Sequence, residues 1–138
     1  MPTNTQGRPA RELPFQAVHY MRKTVNFNDT GITTGIAFKN WLPAGARILR
    51  ADVTIDVVFN AATTNVLTVG QNATSYNDIV ASGDVDETAL GETSVLTGAK
   101  LGALAADAQV FIKYTQTGTP ATTGKATVVL QYVPGNDE

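Results

Sequence analysis

The sequence predicts an all-β protein: a two-sheet β-sandwich, jelly-roll-like, with an extended N-terminal arm. Three observations point there. Between Ile48 and Phe59, apolar Leu49, Ala51, Val53, Ile55, Val57 and Phe59 alternate with Arg50, Asp52, Thr54, Asp56 and Val58, a period of two that a helix would smear around its surface. Threonine, β-branched and suited to pleated backbone, occurs 20 times. Clusters of Gly, Pro, Asn and Asp separate short apolar runs, and no segment carries a long helical period. Seven or eight short strands fit an eight-stranded jelly roll first. An immunoglobulin-like sandwich is the second choice, here without the Cys-Trp-Cys core that usually marks it.

Residues 1–14 (MPTNTQGRPARELP) contain Pro2, Pro9 and Pro14, which exclude helix and central strand. Fully extended, this arm reaches roughly 45 Å, far enough to cross onto a neighbour; the ordinary alternative is a frayed terminus. The sandwich domain then occupies 15–133. Phe15–Phe27 reads as a strand with apolar groups on both faces, as suits contact with a partner. Asn28-Asp29-Thr30-Gly31 is a turn, Ile32–Phe38 a strand, and Pro43 and Gly45 end the next segment. After Ile48–Phe59, a loop at Asn60–Asn65 leads to strand Val66–Val69, closed by Gly70. Gln71–Asn77 is loop, Asp78–Ala81 extended, and Ser82-Gly83-Asp84 a turn. Asp86–Gly98 is ambiguous between helical turn and strand fragments, and the Ala/Leu-rich Leu101–Ala106 suggests a short helical turn. Gln109–Thr115 alternates Val110, Ile112 and Tyr114 against Phe111, Lys113 and Thr115. Lys125–Val133 places Ala126, Val128, Leu130 and Tyr132 on one face. Residues 134–138 form an acidic tail.

Composition narrows function. Charged residues make up 16%, below the ~25% of ordinary domains. No run approaches the ~18 apolar residues of a membrane span, and the first residues lack the apolar core of a signal peptide. Cys is absent, and there is one His (His19) and three Ser (Ser75, Ser82, Ser94), which leaves little equipment for catalysis: the expectation is a non-enzyme without cofactor or metal. His19 reads as a strand histidine. Asp84-Val85-Asp86-Glu87 has hard oxygen ligands of the kind that hold Ca²⁺, but the EF-hand spacing fails at Ala89 and Val95, and a solvated acidic loop is the expectation. Trp41 reads as core or interface packing rather than a sugar platform.

Charge is split along the chain. Residues 1–50 hold seven basic groups and two acids, whereas residues 51–138 hold three basic groups and ten acids. Opposite halves attract within a chain or between copies. Seven cations over 50 residues make no dense patch, so no direct nucleic-acid contact is expected.

Three stretches carry a resemblance: Phe59-Asn-Ala-Ala-Thr-Thr-Asn-Val-Leu-Thr-Val-Gly70, Asn77-Asp-Ile-Val-Ala-Ser-Gly-Asp-Val85, and Tyr114 through Tyr132. Over roughly residues 45–133 the chain resembles the capsid cement (decoration) proteins of short-tailed bacteriophages. The resemblance implies a jelly-roll protein on the capsid exterior, made in the host cytoplasm. It implies the major capsid protein and a second copy of itself as partners, with a homodimer favoured, and no membrane contact. Tail or head-completion components, and receptor- or carbohydrate-binding sandwiches, are the alternative readings. On this view Arg8, Arg11, Leu13 and Phe15 are candidate capsid or neighbour contacts, and Val18, Tyr20 and Trp41 candidate oligomer-interface residues.

Overall fold

A computed structural model describes residues 18–96 and 102–134. The expected arm, with Arg8, Arg11 and Leu13, lies outside these residues, as do Phe15 and positions 135–138 of the expected tail. The described chain is all-β, with eight strands: β1 (His19–Asn26), β2 (Ile36–Ala37), β3 (Arg47–Val57), β4 (Thr64–Gly70), β5 (Gly91–Val95), β6 (Gly102–Ala103), β7 (Phe111–Thr117) and β8 (Lys125–Val133).

They form two antiparallel sheets. The five-stranded sheet runs β1-β8-β3-β5, with β6 beside the start of β3, and the three-stranded sheet runs β2-β7-β4. A bridge from Val69 to Val80 extends the second sheet past β4. The pairings nest: β1 with β8, β2 with β7, β3 with β5 and β6, and β4 with the segment at Val80. A long hairpin rolled onto itself produces this order, which is the expected jelly roll.

Alternation along each strand builds the core between the sheets. Met21 and Val25 of β1, Ala126, Val128 and Leu130 of β8, and Ile48, Ala51, Val53 and Ile55 of β3 point inward from the first sheet. Leu67 and Val69 of β4, with Ile112 and Tyr114 of β7, meet them from the second. Phe59 closes one end, its ring centroid 4.6 Å from that of Tyr114. Each large side chain buried this way contributes about 1.5–3 kcal/mol, which holds together a chain that has no disulfide.

Three expectations are corrected and one open reading is settled. The inward row of β3 does not run unbroken from Leu49 to Val57, because register shifts fall between Ile48 and Arg50 and between Ile55 and Val57. An extra residue at each bulge reverses the side-chain parity, so Ile48 is buried while Leu49 is 40% and Val57 42% exposed. The strand expected at Ile32–Phe38 shrinks to Ile36–Ala37, since Gly31 (φ 85°) and Gly35 (φ 119°) bend the preceding backbone into turns. The ambiguous Asp86–Gly98 segment yields β5 at Gly91–Val95, paired with β3. The helical turn expected at Leu101–Ala106 is replaced by Gly102–Ala103, paired with Arg47 and Ile48; backbone pairing at the sheet edge outweighs the local Ala/Leu preference.

Candidate functional site

The outer face of the five-stranded sheet is covered by no other described element, and its chemistry follows from register. Side chains opposite the core fall into cross-strand rows. One row holds Tyr20, Gln131 and Arg50, the next Arg22, Val129, Asp52 and Ser94, and the next Thr24, Thr127, Thr54 and Glu92. Asp56 follows on β3. The last row is Asn26, Lys125 and Val57, so the face grades from Arg22 and Arg50 at the Arg47 end of the sandwich to hydroxyls and the acids Asp56 and Glu92 at the other, where Lys125 is a cation among them.

The polar groups in the middle are satisfied within the sheet. Asp52, 7% exposed, accepts hydrogen bonds from the Ser94 hydroxyl at 2.7 Å and the Gln131 amide at 3.3 Å. Arg50 Nε lies 3.3 Å from the same carboxylate, an ion pair by distance but without hydrogen-bond geometry. Thr24 and Thr127 share a hydroxyl hydrogen bond at 3.0 Å, and Thr127 donates to Asp56 at 2.8 Å. Such a surface sheds water at low penalty because few of its polar atoms lose a partner.

Tyr20, on the edge strand β1, and Val18, just before it, are 70% and 58% exposed. They share a shallow groove of about 470 Å³ with His19, Arg22, Val129 and Gln131. His19 stacks on Tyr132, ring centroids 5.6 Å apart. Trp41 is apart from them, in the β2–β3 connection at the Arg47 end; at 55% exposure it is not a core residue, which removes the packing half of its expected role. The site residues that pattern reading missed are Leu49, Leu90 and Leu96, all exposed. Leu49 was hidden by the bulge. Leu90 and Leu96 flank a strand whose type the sequence left open.

The acidic loop resolves into separate structural jobs. Asp84 accepts the Ala81 amide at 2.8 Å, and Asp78 the Gln71 amide at 2.8 Å. Asp86 accepts both the amide and the hydroxyl of Thr88, at 3.0 and 2.6 Å, and its pKa is lowered, first by the hydroxyl and then by the amide. Glu87 is the correction to the expected solvated loop: it is 5% exposed, with Oε1 accepting the Leu67 amide at 2.7 Å. Desolvation raises its pKa, and burial followed by the Glu87 charge raises that of Tyr114. Among the described residues no three His, Asp or Glu side chains form a group able to hold a metal ion.

Comparison with known proteins places this fold. No protein-family model and no curated protein matches the sequence. Solved structures do. A chain of the cyanophage Pam1 capsid asymmetric unit is 25% identical, with TM-score 0.54 over 85% of each chain. A chain of the acid-stable capsid of Helicobacter pylori bacteriophage KHP30 is 16% identical, TM-score 0.59, over 83% of this chain and 86% of that one. A chain of the Ralstonia phage GP4 capsid is 18% identical, TM-score 0.59, over 88% and 86%. The fold is thus one found in phage capsids, and the likeness supports a structural role in a virion.

Proposed function

We propose that this chain is a cement protein: it binds the outside of a bacteriophage capsid as a homodimer and bridges neighbouring major capsid subunits. The observation that supports this reading is the near full-length likeness to capsid chains from three phages, at 85–86% coverage of those chains. A β-sandwich with a mixed apolar and charged outer face suits the work, which consists of contact rather than chemistry. With no Cys, one His and three Ser in the chain, the role is non-catalytic and needs no cofactor, nucleic acid or membrane.

Bridging supplies the mechanism. Once one contact forms, the second is intramolecular, so modest individual contacts produce large avidity. The segment at residues 1–14, with Arg8, Arg11 and Leu13, adds contact area on the shell beyond that of the sandwich.

Electron microscopy of heads assembled with and without the protein tests the reading. Density for the sandwich is expected on the outer surface, bridging subunits. Deleting residues 1–14 is expected to lower occupancy while the melting curve of the sandwich stays unchanged. Density inside the shell or in the tail, or bare heads at saturating protein, would sink the proposal.

A further inference from the structure

We propose, resting on the dimeric part of that reading, that two copies of this chain pack the outer faces of their five-stranded sheets together, about a two-fold axis that crosses the strands near Val53. Rotation about an axis lying between the sheets and perpendicular to the strands turns one face onto the other. It reverses strand direction and keeps each strand over its own counterpart, which is the isologous arrangement of a closed dimer.

The face is self-complementary under that rotation. Counted from Val53, position 50 of one copy falls over position 56 of the other, and 49 over 57: Arg50 meets Asp56, and Leu49 meets Val57. On β5, Leu96 lies one step beyond the Ala51–Val95 pair and Leu90 one step beyond Ile55–Gly91, so Leu96 falls over Leu90. These four apolar side chains are 40%, 42%, 63% and 68% exposed for Leu49, Val57, Leu96 and Leu90. They occupy opposite corners of one face and are exchanged in pairs by the rotation. The same operation lays the half of each copy that holds Arg22, Arg50 and Asp52 over the half of its partner that holds Asp56, Glu92 and Lys125, with Arg50 over Asp56 and Lys125 over Gln131. Charge complementarity of this kind orients an encounter and penalises the parallel alternative, which would set like charges together.

The bulges in β3 acquire a purpose. Without the register shifts at its two ends, strict alternation would turn Leu49 and Val57 into the core and leave two corners of the face polar. Between the corners the surface is ready to dry, because the Asp52 carboxylate is already held by Ser94 and Gln131.

The area sets the strength. Four strands about 4.8 Å apart, of 8, 9, 11 and 5 residues for β1, β8, β3 and β5, at ~3.3 Å per residue cover on the order of 500 Å² of plane per copy. About 1,000 Å² for the pair is at the low end of specific interfaces. A reversible dimer in solution follows, tightened when both copies are held on one lattice.

The absence of native cysteine makes the test direct. The double variant Leu90→Cys/Leu96→Cys, mildly oxidised, is expected to give a covalent dimer on a non-reducing gel. Either single variant is expected to stay monomeric, because equivalent positions lie about 20 Å apart across the axis. In sedimentation velocity, Arg50→Glu is expected to weaken the dimer at least tenfold, and Arg50→Glu/Asp56→Arg to restore it, with melting curves confirming that each variant folds. A wild-type chain monomeric at about millimolar concentration, a dimer indifferent to Leu90→Glu/Leu96→Glu, or a double cysteine variant that fails to cross-link overturns the proposal. Dimerisation that persists in a chain unable to bind heads counts for this face and against the cement reading.

Discussion

Glu87 joins a charged group to a buried position. Its carboxylate satisfies the Leu67 amide from inside the sandwich, yet burial works against its charge, and its pKa rises above the ordinary 4.5. A carboxyl whose folded-state pKa exceeds its unfolded one binds the proton more tightly when folded. Its stabilising contribution is fully present below the unfolded value and is lost as pH rises through the folded one. Glu87→Gln keeps an acceptor for Leu67 and removes the charge, so it is expected to melt above wild type at pH 7 and level with it at pH 3. Glu87→Ala leaves that amide unpaired and should cost about 1–3 kcal/mol in urea denaturation. Gly124 is the second position where one atom decides: its φ is 151°, and an added Cβ would run into the Phe59 ring. Gly124→Ala should therefore destabilise by several kcal/mol through strain and displacement of Phe59, on the order of a large overpacking defect.

At the scale of elements, β3 is the member that both builds the core and shapes the outer face. Its centre obeys alternation and its ends do not. Ile55→Ala is expected to cost about 2–5 kcal/mol by emptying a core position, whereas Leu49→Ala should change stability by under about 1 kcal/mol. Chemical denaturation of the two variants checks the bulge directly; equal losses would place Leu49 back inside. Loops on the side of Phe59 are held by side chains rather than by length of strand. Asn60 accepts the amides of Thr122 and Thr123 at 2.7 and 3.0 Å, and Tyr114 donates to Asn65 at 2.6 Å. Tyr114→Phe removes that bond while preserving the ring, and a loss of about 1 kcal/mol is expected by thermal melting.

For the whole molecule, nesting has a kinetic consequence. The first strand pairs with the last, β2 with the next to last, and each outer pairing waits for the inner loop to close. Such non-local pairing is slow, so refolding after dilution from urea is expected in milliseconds to seconds rather than microseconds, followed by stopped-flow fluorescence of Trp41 or near-ultraviolet signals. On the five-stranded sheet Arg22, Arg47 and Arg50 lie toward the end where β1 begins, and Asp56 and Glu92 toward the other, with Lys125 beside them, because antiparallel register carries each strand from one end to the other.

Much of this was legible in one dimension. Alternation at Lys125–Val133 and Gln109–Thr115 reports burial on one side of a strand, and turn residues report where strands stop; both are local properties of the backbone. The exposed leucines, the buried Glu87 and the two-residue strands were not legible, because each depends on what lies across a sheet. A bulge is invisible until its partner strand lacks the matching residue. The sequence establishes an all-β sandwich and a chain with no Cys, one His and three Ser. Tertiary structure alone decides which apolar side chains share a face, since register between strands distant in the chain, and not the order of residues within one, brings them together.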